Sequence, residues 1–254
     1  MLWADITRRH DPANGVFVKI LSQRLLDLGL PYVLCFWSKA PARIAILYEE
    51  MIKELQAKGV LVLAQISLNG YDEVLEPGLT SADRQLGSLI RILETGAVRL
   101  RFDPIIPGFT TLAHYQFCLS QALEWGINHI TLNFYERRMQ NHLRMTQAGI
   151  EVLEGNQEER KRFLDSIISV TPPEISLALC AESSPLGAFF PSLQKASCAA
   201  PLWAMDLRKE LSGLTWEKHP SRKGCGCFYT EDWGLYPREL GVKCSHGCLY
   251  CYAG

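Results

Sequence analysis

The sequence predicts an α/β fold in which about six parallel strands form a (β/α) barrel or a partial barrel. Short β-branched or aromatic runs alternate along the chain with longer amphipathic runs, which is the pattern of repeated βα units. Glycines recur at the ends of the predicted helices, just before the next strand. A doubly wound sheet is the alternative arrangement of the same units.

Each element follows from its own local pattern. The predicted strands are, in chain order, Leu2–Ile6, Tyr32–Phe36, Val60–Ile66, Val98–Phe102, His129–Phe134 and Ile175–Leu179. The predicted helices are Val16–Leu28, Arg43–Ala57, Ser81–Glu94, Thr111–Trp125 and Glu158–Ser169. A left-handed C-cap, the conformation that glycine favours at a helix end, is predicted at Gly29, Gly59, Gly96 and Gly126.

The composition excludes several classes of protein. The chain has 254 residues, 48% of them hydrophobic, and a formal net charge of −1. This apolar content excludes a mainly disordered chain, and no apolar stretch reaches the ~18 residues of a membrane span. Near-zero net charge does not support non-specific binding of nucleic acid. We see no secretory signal and expect a cytoplasmic protein.

Charged residues follow several of the predicted strands. They are Arg8, Arg9 and Asp11 after the first strand, Lys39 after the second, and Arg101 and Asp103 on the fourth. Because the carboxyl ends of barrel strands share one rim, this charge density predicts a mouth that binds a charged small molecule. Arg101 and Asp103 either form an ion pair there or contact a carboxylate of a ligand.

Cysteine placement divides the chain into a β/α domain over residues 1–182 and a cysteine-rich segment over residues 183–254. Nine cysteines are present, and five of them lie in the last 30 residues, where uniform placement would put about one. The odd total and the tight cluster favour a metal or redox site over a disulfide framework.

The strongest motif is Cys244-Ser-His-Gly-Cys248-Leu-Tyr-Cys251, with the spacing C-x3-C-x2-C. Three thiolates on one loop can hold three irons of a [4Fe–4S] cluster and leave the fourth iron without a protein ligand. Such an iron can bind a small chelator through amino and carboxylate groups, as in S-adenosylmethionine (SAM). Zinc held by two cysteine pairs is the alternative, although zinc does not account for the triplet.

This loop resembles the cluster loop of the radical SAM superfamily, and the string from His246 to Ala253 is similar to that of spore photoproduct lyase. The resemblance implies reductive cleavage of SAM, with Tyr250 near the adenine and an electron donor such as ferredoxin or flavodoxin. Arg8, Arg9, Arg101 and Asp103 are then the candidates for binding SAM. Two features depart from the superfamily: the loop lies near the C-terminus, and no Gly-Gly-Glu follows the second strand.

Nearly the whole chain also resembles an uncharacterised family, domain of unknown function 1848, which names no reaction. The matching stretches are Thr7–Asp11, Trp37–Pro41, Arg101–Pro104, Cys225–Cys227, Asp232–Tyr236 and the terminal motif. The competing function is therefore an iron–sulfur or zinc protein without SAM chemistry, whose metal centre is structural or transfers electrons.

The remaining cysteines suggest a second metal centre. Cys225 and Cys227, with Cys180 and Cys198 as partners, would make four thiolates, enough for an auxiliary cluster or a zinc site. Cys180 is alternatively a buried residue at a strand end. Cys35 lies within a strand and Cys118 within a helix, and we predict both in the core.

Overall fold

The computed structural model describes residues 3–6, 11–153, 156–180, 186, 188–195, 201–217, 229–233 and 244–251. The strands are β1 (Trp3–Ile6), β2 (Val33–Ser38), β3 (Leu61–Ser67), β4 (Val98–Ile105), β5 (His129–Phe134), β6 (Ser176–Leu179), β7 (Gln194–Lys195) and β8 (Glu231–Asp232). The helices are α1 (Gly15–Leu28), α2 (Pro41–Ala57), α3 (Gly87–Ile92), α4 (Leu112–Glu124), α5 (Met139–Gln147), α6 (Gln157–Val170) and α7 (Pro201–Leu207). Short 3-10 helices cover Thr95–Ala97 and Lys209–Gly213.

All these strands belong to one parallel sheet with the order β7-β6-β5-β4-β3-β2-β1-β8. The order follows the chain from β1 to β7 without the reversal that defines a doubly wound sheet. Within the described residues β7 and β8 do not pair, so the sheet is not closed. The fold is therefore mixed α/β with an open parallel sheet, an arrangement consistent with a partial barrel.

The sheet has one apolar face, against which helices pack. Phe36 of β2 contacts Tyr48 of α2 with ring centroids 5.0 Å apart, and Phe102 of β4 contacts Tyr115 of α4 at 5.4 Å. Strands between two layers of side chains are buried along nearly their whole length, which explains the continuous apolar runs in the sequence. Cys35 and Cys118 are fully buried in this core, as predicted.

The other face of the sheet is polar although it is also buried. Asp5, Gln65, Arg101 and Thr131 are each less than 5% exposed. Gln65 pairs in register with Trp37, and Arg101 pairs with Thr131, so these side chains stand on the same face of neighbouring strands. The indole of Trp37 donates to Asp5 at 3.0 Å, and Arg101 donates to Gln65 at 3.4 Å. Burying such groups requires these hydrogen bonds.

The predicted elements correspond closely to β1 through β6 and to α1, α2, α4 and α6. The prediction of a helix over Ser81–Glu94 is wrong in extent, because Asp83 accepts from the Thr80 amide at 2.9 Å and holds a turn there. Gly29, Gly59 and Gly126 have positive φ values of 79°, 87° and 65°, as predicted. Gly96 instead lies inside a 3-10 helix. Among the described helices, none is long and apolar enough to cross a membrane.

Candidate metal centre

The loop of residues 244–251, here called the cysteine loop, contacts segments that follow the carboxyl ends of the strands. These segments are the residues before α1 that include Asp11, the connection between β3 and α3, and helix α5. Gly247 has a φ of 58°, a left-handed conformation that lets the chain turn between Cys244 and Cys248. The loop therefore lies at the edge of a parallel sheet where β/α proteins place their functional groups.

The connection between β3 and α3 bonds to the backbone of the cysteine loop. The Gly78 amide donates to the His246 carbonyl at 2.9 Å, and the Leu249 amide donates to the Leu75 carbonyl at 3.0 Å. A Cβ atom on Gly78 would lie 1.8 Å from the Ser245 carbonyl oxygen. Only glycine allows the two backbones to approach this closely.

Helix α5 bonds to the carbonyls on the other side of the same loop. The Asn141 side chain donates to the Tyr250 carbonyl at 3.1 Å. The Arg144 guanidinium donates to the Leu249 carbonyl at 3.2 Å and also to the Cys251 carbonyl. Asn141 is buried and also accepts from the Tyr135 hydroxyl at 2.7 Å, so its orientation is well defined.

Asp11 joins the end of β2 to the cysteine loop. Its carboxylate accepts from the Ser38 hydroxyl and the Lys39 amide, both at 2.7 Å, and lies 2.9 Å from Nε2 of His246. Burial raises the pKa of Asp11, but the facing His246 ring and these hydrogen bonds outweigh burial and hold the pKa below its usual value. The carboxylate is therefore ionised and lies against the imidazole of His246.

The three thiols of the loop are partly or fully buried. Burial raises the pKa of both Cys244 and Cys248, while the Lys39 ammonium opposes the rise at Cys248. Cys244 and Cys251 are close enough to Cys248 that their charges also raise its pKa. At neutral pH, Cys244 and Cys248 are therefore protonated thiols, and binding of a metal would displace their protons.

Within the described residues, no three histidine, cysteine or acidic side chains converge on one point as ligands of a single metal ion do. A zinc site needs such convergence, because all its ligands lie about 2.3 Å or less from one ion. In a [4Fe–4S] cluster each cysteine binds a different iron, so the thiols stand further apart. The described residues therefore show no preformed site for a single ion, and the metal centre stays a prediction.

A buried charge network lies beside the thiols and centres on Glu76, which is 2% exposed. Glu76 pairs with Arg84 at 2.8 Å and with Lys39 at 3.3 Å, and it accepts from the Tyr250 hydroxyl. Burial raises the pKa of Glu76, but Lys39, Tyr250 and Arg84 together lower it below its usual value. The Lys39 ammonium also lies 5.0 Å from the centroid of the Tyr250 ring.

Arg101 and Asp103 form an ion pair at 2.6 Å. The Asp103 carboxylate also accepts from the side-chain amide of Asn133 at 3.0 Å. The backbone carbonyl of Asp103 accepts from the Lys39 ammonium at 3.3 Å. The guanidinium of Arg101 lies 5.0 Å from the centroid of the Trp37 ring. The pair therefore connects the polar face of the sheet, through Lys39, to the network beside the thiols.

The chain matches a family described as a domain of unknown function (DUF1848) over residues 14–253. The chain belongs to this family. A search of curated proteins finds no match.

Several predicted site residues of the DUF1848 chain lie outside the described residues, namely Arg8, Arg9, Cys198, Cys225 and Cys227. Cys180 directly follows β6 and is 7% exposed. The structure thus brings Cys244, Cys248, Cys251 and Tyr250 into one loop and connects that loop to Arg101 and Asp103 through Lys39. The second metal centre stays a prediction.

Sequence reasoning did not find three residues that position the loop in this DUF1848 chain, namely Glu76, Asn141 and Arg144. Asn141 and Arg144 bond to backbone carbonyls, and no pattern of residue types in a sequence identifies such contacts. Glu76 lies in a long connection after β3, where an acidic residue is ordinarily exposed. The length of that connection is the one signal that would have drawn attention to it.

Proposed function

We propose that this chain is an iron–sulfur enzyme of the radical SAM type, in which Cys244, Cys248 and Cys251 hold a [4Fe–4S] cluster. The observation that carries the proposal is that the loop bearing these thiols is bonded to segments at the carboxyl edge of the parallel sheet. That edge is where β/α proteins assemble active sites.

The donor set fits such a cluster. Thiolates are its usual ligands, and three of them leave one iron open to a chelating substrate. His246 is 1% exposed, and its Nδ1 atom has no partner among the described residues. A sulfur atom of a cluster beside it would be a hydrogen-bond partner for that nitrogen. When bound, the cluster supplies the electron that cleaves a C–S bond of SAM at the open iron.

The protein's own residues would bind SAM and exclude water. Arg101 and Asp103, with Arg8 and Arg9, are our candidates for the amino and carboxylate groups of SAM. Tyr250, which the resemblance places near the adenine, uses its hydroxyl and its carbonyl in bonds to Glu76 and Asn141. The contact left for an adenine is the aromatic ring itself.

We further propose that the sheet is a partial barrel whose mouth is covered by the cysteine-rich segment. The strand order supports the first point, and the bonds of the cysteine loop to Asp11, Gly78 and Arg144 support the second. Reduced thiols are typical of the cytoplasm, where we place the protein. The additional centre at Cys180, Cys198, Cys225 and Cys227 is part of the same proposal, and the substrate is an unidentified small molecule or macromolecule.

The decisive experiment is anaerobic reconstitution with iron and sulfide, followed by reduction and electron paramagnetic resonance with and without SAM. We expect a [4Fe–4S]⁺ signal that changes when SAM is added, and 5′-deoxyadenosine in the quenched mixture. Cys251→Ala should abolish both while the far-UV circular dichroism is unchanged. Cys118→Ala, a buried cysteine in α4, is the matched control and should retain both.

The other outcomes overturn the proposal in distinguishable ways. A cluster whose spectrum is indifferent to SAM would indicate electron transfer or structural support. Zinc without a cluster, or an unfolded Cys251→Ala variant, would indicate a structural metal centre.

A further inference from the structure

We propose that the segment from Glu136 to Leu153, which contains α5, is a lid over the cysteine loop, and that a metal centre bound by the loop closes it. This segment, here called the α5 lid, follows β5 and precedes α6. The inference goes beyond the proposed function, because it concerns the control of access to the thiols. It rests on that proposal in one respect, namely that the loop binds a metal centre.

The α5 lid buries few side chains. Its buried residues are Asn141 and Met145, and the rest of the lid is exposed or half-buried. Just before the lid, the Tyr135 amide donates to the Ile105 carbonyl at 2.8 Å, so the chain is held to the sheet up to that point. A segment with so little burial opens locally at a much lower free-energy cost than the core.

Both buried residues of the α5 lid contact groups that the cysteine loop supplies. Asn141 donates to the Tyr250 carbonyl at 3.1 Å. Met145 packs in a small hydrophobic cluster that is separate from the main core, and Cys248 and Tyr250 belong to the same cluster. The Tyr250 ring contacts the Tyr71 ring in this cluster, with centroids 5.9 Å apart. If the loop is not ordered, Asn141 loses this acceptor and Met145 loses two buried neighbours.

Arg144 attaches the α5 lid to the end of the cysteine loop. Its guanidinium donates to the Leu249 carbonyl at 3.2 Å and to the Cys251 carbonyl. The start of the loop is held by other segments, through Asp11 and Gly78. The lid therefore covers the end of the loop that carries Cys251, and opening of the lid gives solvent access to that end.

The loop and the lid stabilise each other. A metal centre bound by the three cysteines restricts the loop to one conformation, and the ordered loop presents its carbonyls to the lid. Metal binding therefore favours the closed lid, and by linkage the closed lid favours metal binding to the same extent. The open lid admits the metal centre to the thiols, and the closed lid retains it.

Hydrogen–deuterium exchange with mass spectrometry measures opening of the lid directly. Apo protein is compared with protein reconstituted anaerobically with iron and sulfide, in peptides that cover α4 and α5. The lid variants are Arg144→Gln and Asn141→Ala, and the matched control is Arg162→Gln, at an exposed arginine of α6. The iron content of every sample is measured before exchange.

We expect iron and sulfide to slow exchange in α5 about tenfold or more, because exchange follows the population of the locally open state. Exchange in α4, which packs on the main core, should stay unchanged. In the apo protein, both lid variants should accelerate exchange in α5 and the labelling of Cys251 by N-ethylmaleimide severalfold. Arg162→Gln should change neither rate.

The possible failures are distinguishable. Protein that retains iron but exchanges in α5 as fast as the apo protein would exclude closure by the metal centre. Lid variants that accelerate exchange in α4 and α5 together would show that α5 unfolds with the core and is not a lid. If the wild type retains no iron, the proposed function is wrong, while the apo protein and its variants still decide whether the lid opens separately.

Discussion

Gly78 and His246 are joined by a backbone hydrogen bond of 2.9 Å, which fixes the cysteine loop against the connection between β3 and α3. The approach is so close that a Cβ atom on Gly78 would lie 1.8 Å from the carbonyl oxygen of the preceding Ser245. Both contacts are made by backbone atoms, so the connection must move if Gly78 acquires a side chain. The position of the loop thus depends on the absence of a Cβ atom at residue 78.

Gly78→Ala should therefore displace the cysteine loop without unfolding the β/α domain. We expect the iron content after reconstitution to fall severalfold, with an unchanged far-UV circular dichroism spectrum. Gly213→Ala is the matched control, because nothing lies within 4 Å of a Cβ atom there. Full iron retention by Gly78→Ala would contradict this account.

Glu76 predicts a pH dependence of stability. Its pKa is lowered in the folded protein, because Lys39, Tyr250 and Arg84 stabilise the carboxylate more than burial destabilises it. The resulting stabilisation is fully present above the unfolded-state pKa of about 4.3 and is lost as the pH falls through the lower folded-state pKa.

Glu76→Gln should remove this acid-dependent contribution and leave two buried cations without their carboxylate. We expect the free energy of unfolding at pH 7 to fall by about 3 kcal/mol. Urea titrations from pH 7 to pH 3 should show a shallower loss of stability for the variant than for the wild type. Parallel curves would show that Glu76 is not the group responsible.

Asp103→Asn tests whether the Arg101 pair has a structural role. Arg101 is 4% exposed, so removal of its carboxylate leaves a buried charge, with an expected cost of about 3 kcal/mol in urea unfolding. Asp165→Asn, at an exposed position of α6, should cost almost nothing. If Asp103→Asn leaves stability intact but weakens the SAM-dependent spectral change, Asp103 acts on the ligand instead.

Arg144→Gln tests the contacts from α5. The variant loses the bonds to the carbonyls of Leu249 and Cys251. We expect faster loss of iron to a chelator, by about tenfold or more, because two hydrogen bonds from a charged group are lost and each contributes about 1.5–3 kcal/mol. The control is Arg162→Gln, an exposed arginine of α6. Equal rates of iron loss in the two variants would exclude a positioning role for Arg144.

The sheet could be predicted because a buried strand is recognisable from the residue types within the strand itself. Strands β1, β2 and β3 are buried along nearly their whole length and are therefore mostly apolar in sequence. The two-residue strands β7 and β8 are too short to form a pattern. Helix α5 was not predicted because it has few apolar residues, and one of its two buried residues, Asn141, is polar while the other is Met145.

The cysteine loop stands out in the sequence for a different reason, and its role as a metal site stays a prediction. Cys244, Cys248 and Cys251 are close in sequence, so their spacing alone indicates a shared site. The groups that position the loop come from distant segments and bind its backbone. These groups, such as Gly78 and Arg144, act through tertiary contacts, so a local sequence pattern does not identify them.

The contacts of the cysteine loop also have a consequence for biogenesis. The residues that contact the loop all precede it in the chain, namely Asp11, Gly78, Asn141 and Arg144. The ribosome therefore synthesises them before the three cysteines of the loop. The segments that hold the loop are thus already synthesised while its thiols are still being added to the chain. If the loop binds the proposed cluster, cluster loading is then a late step that follows synthesis of the segments that hold the loop.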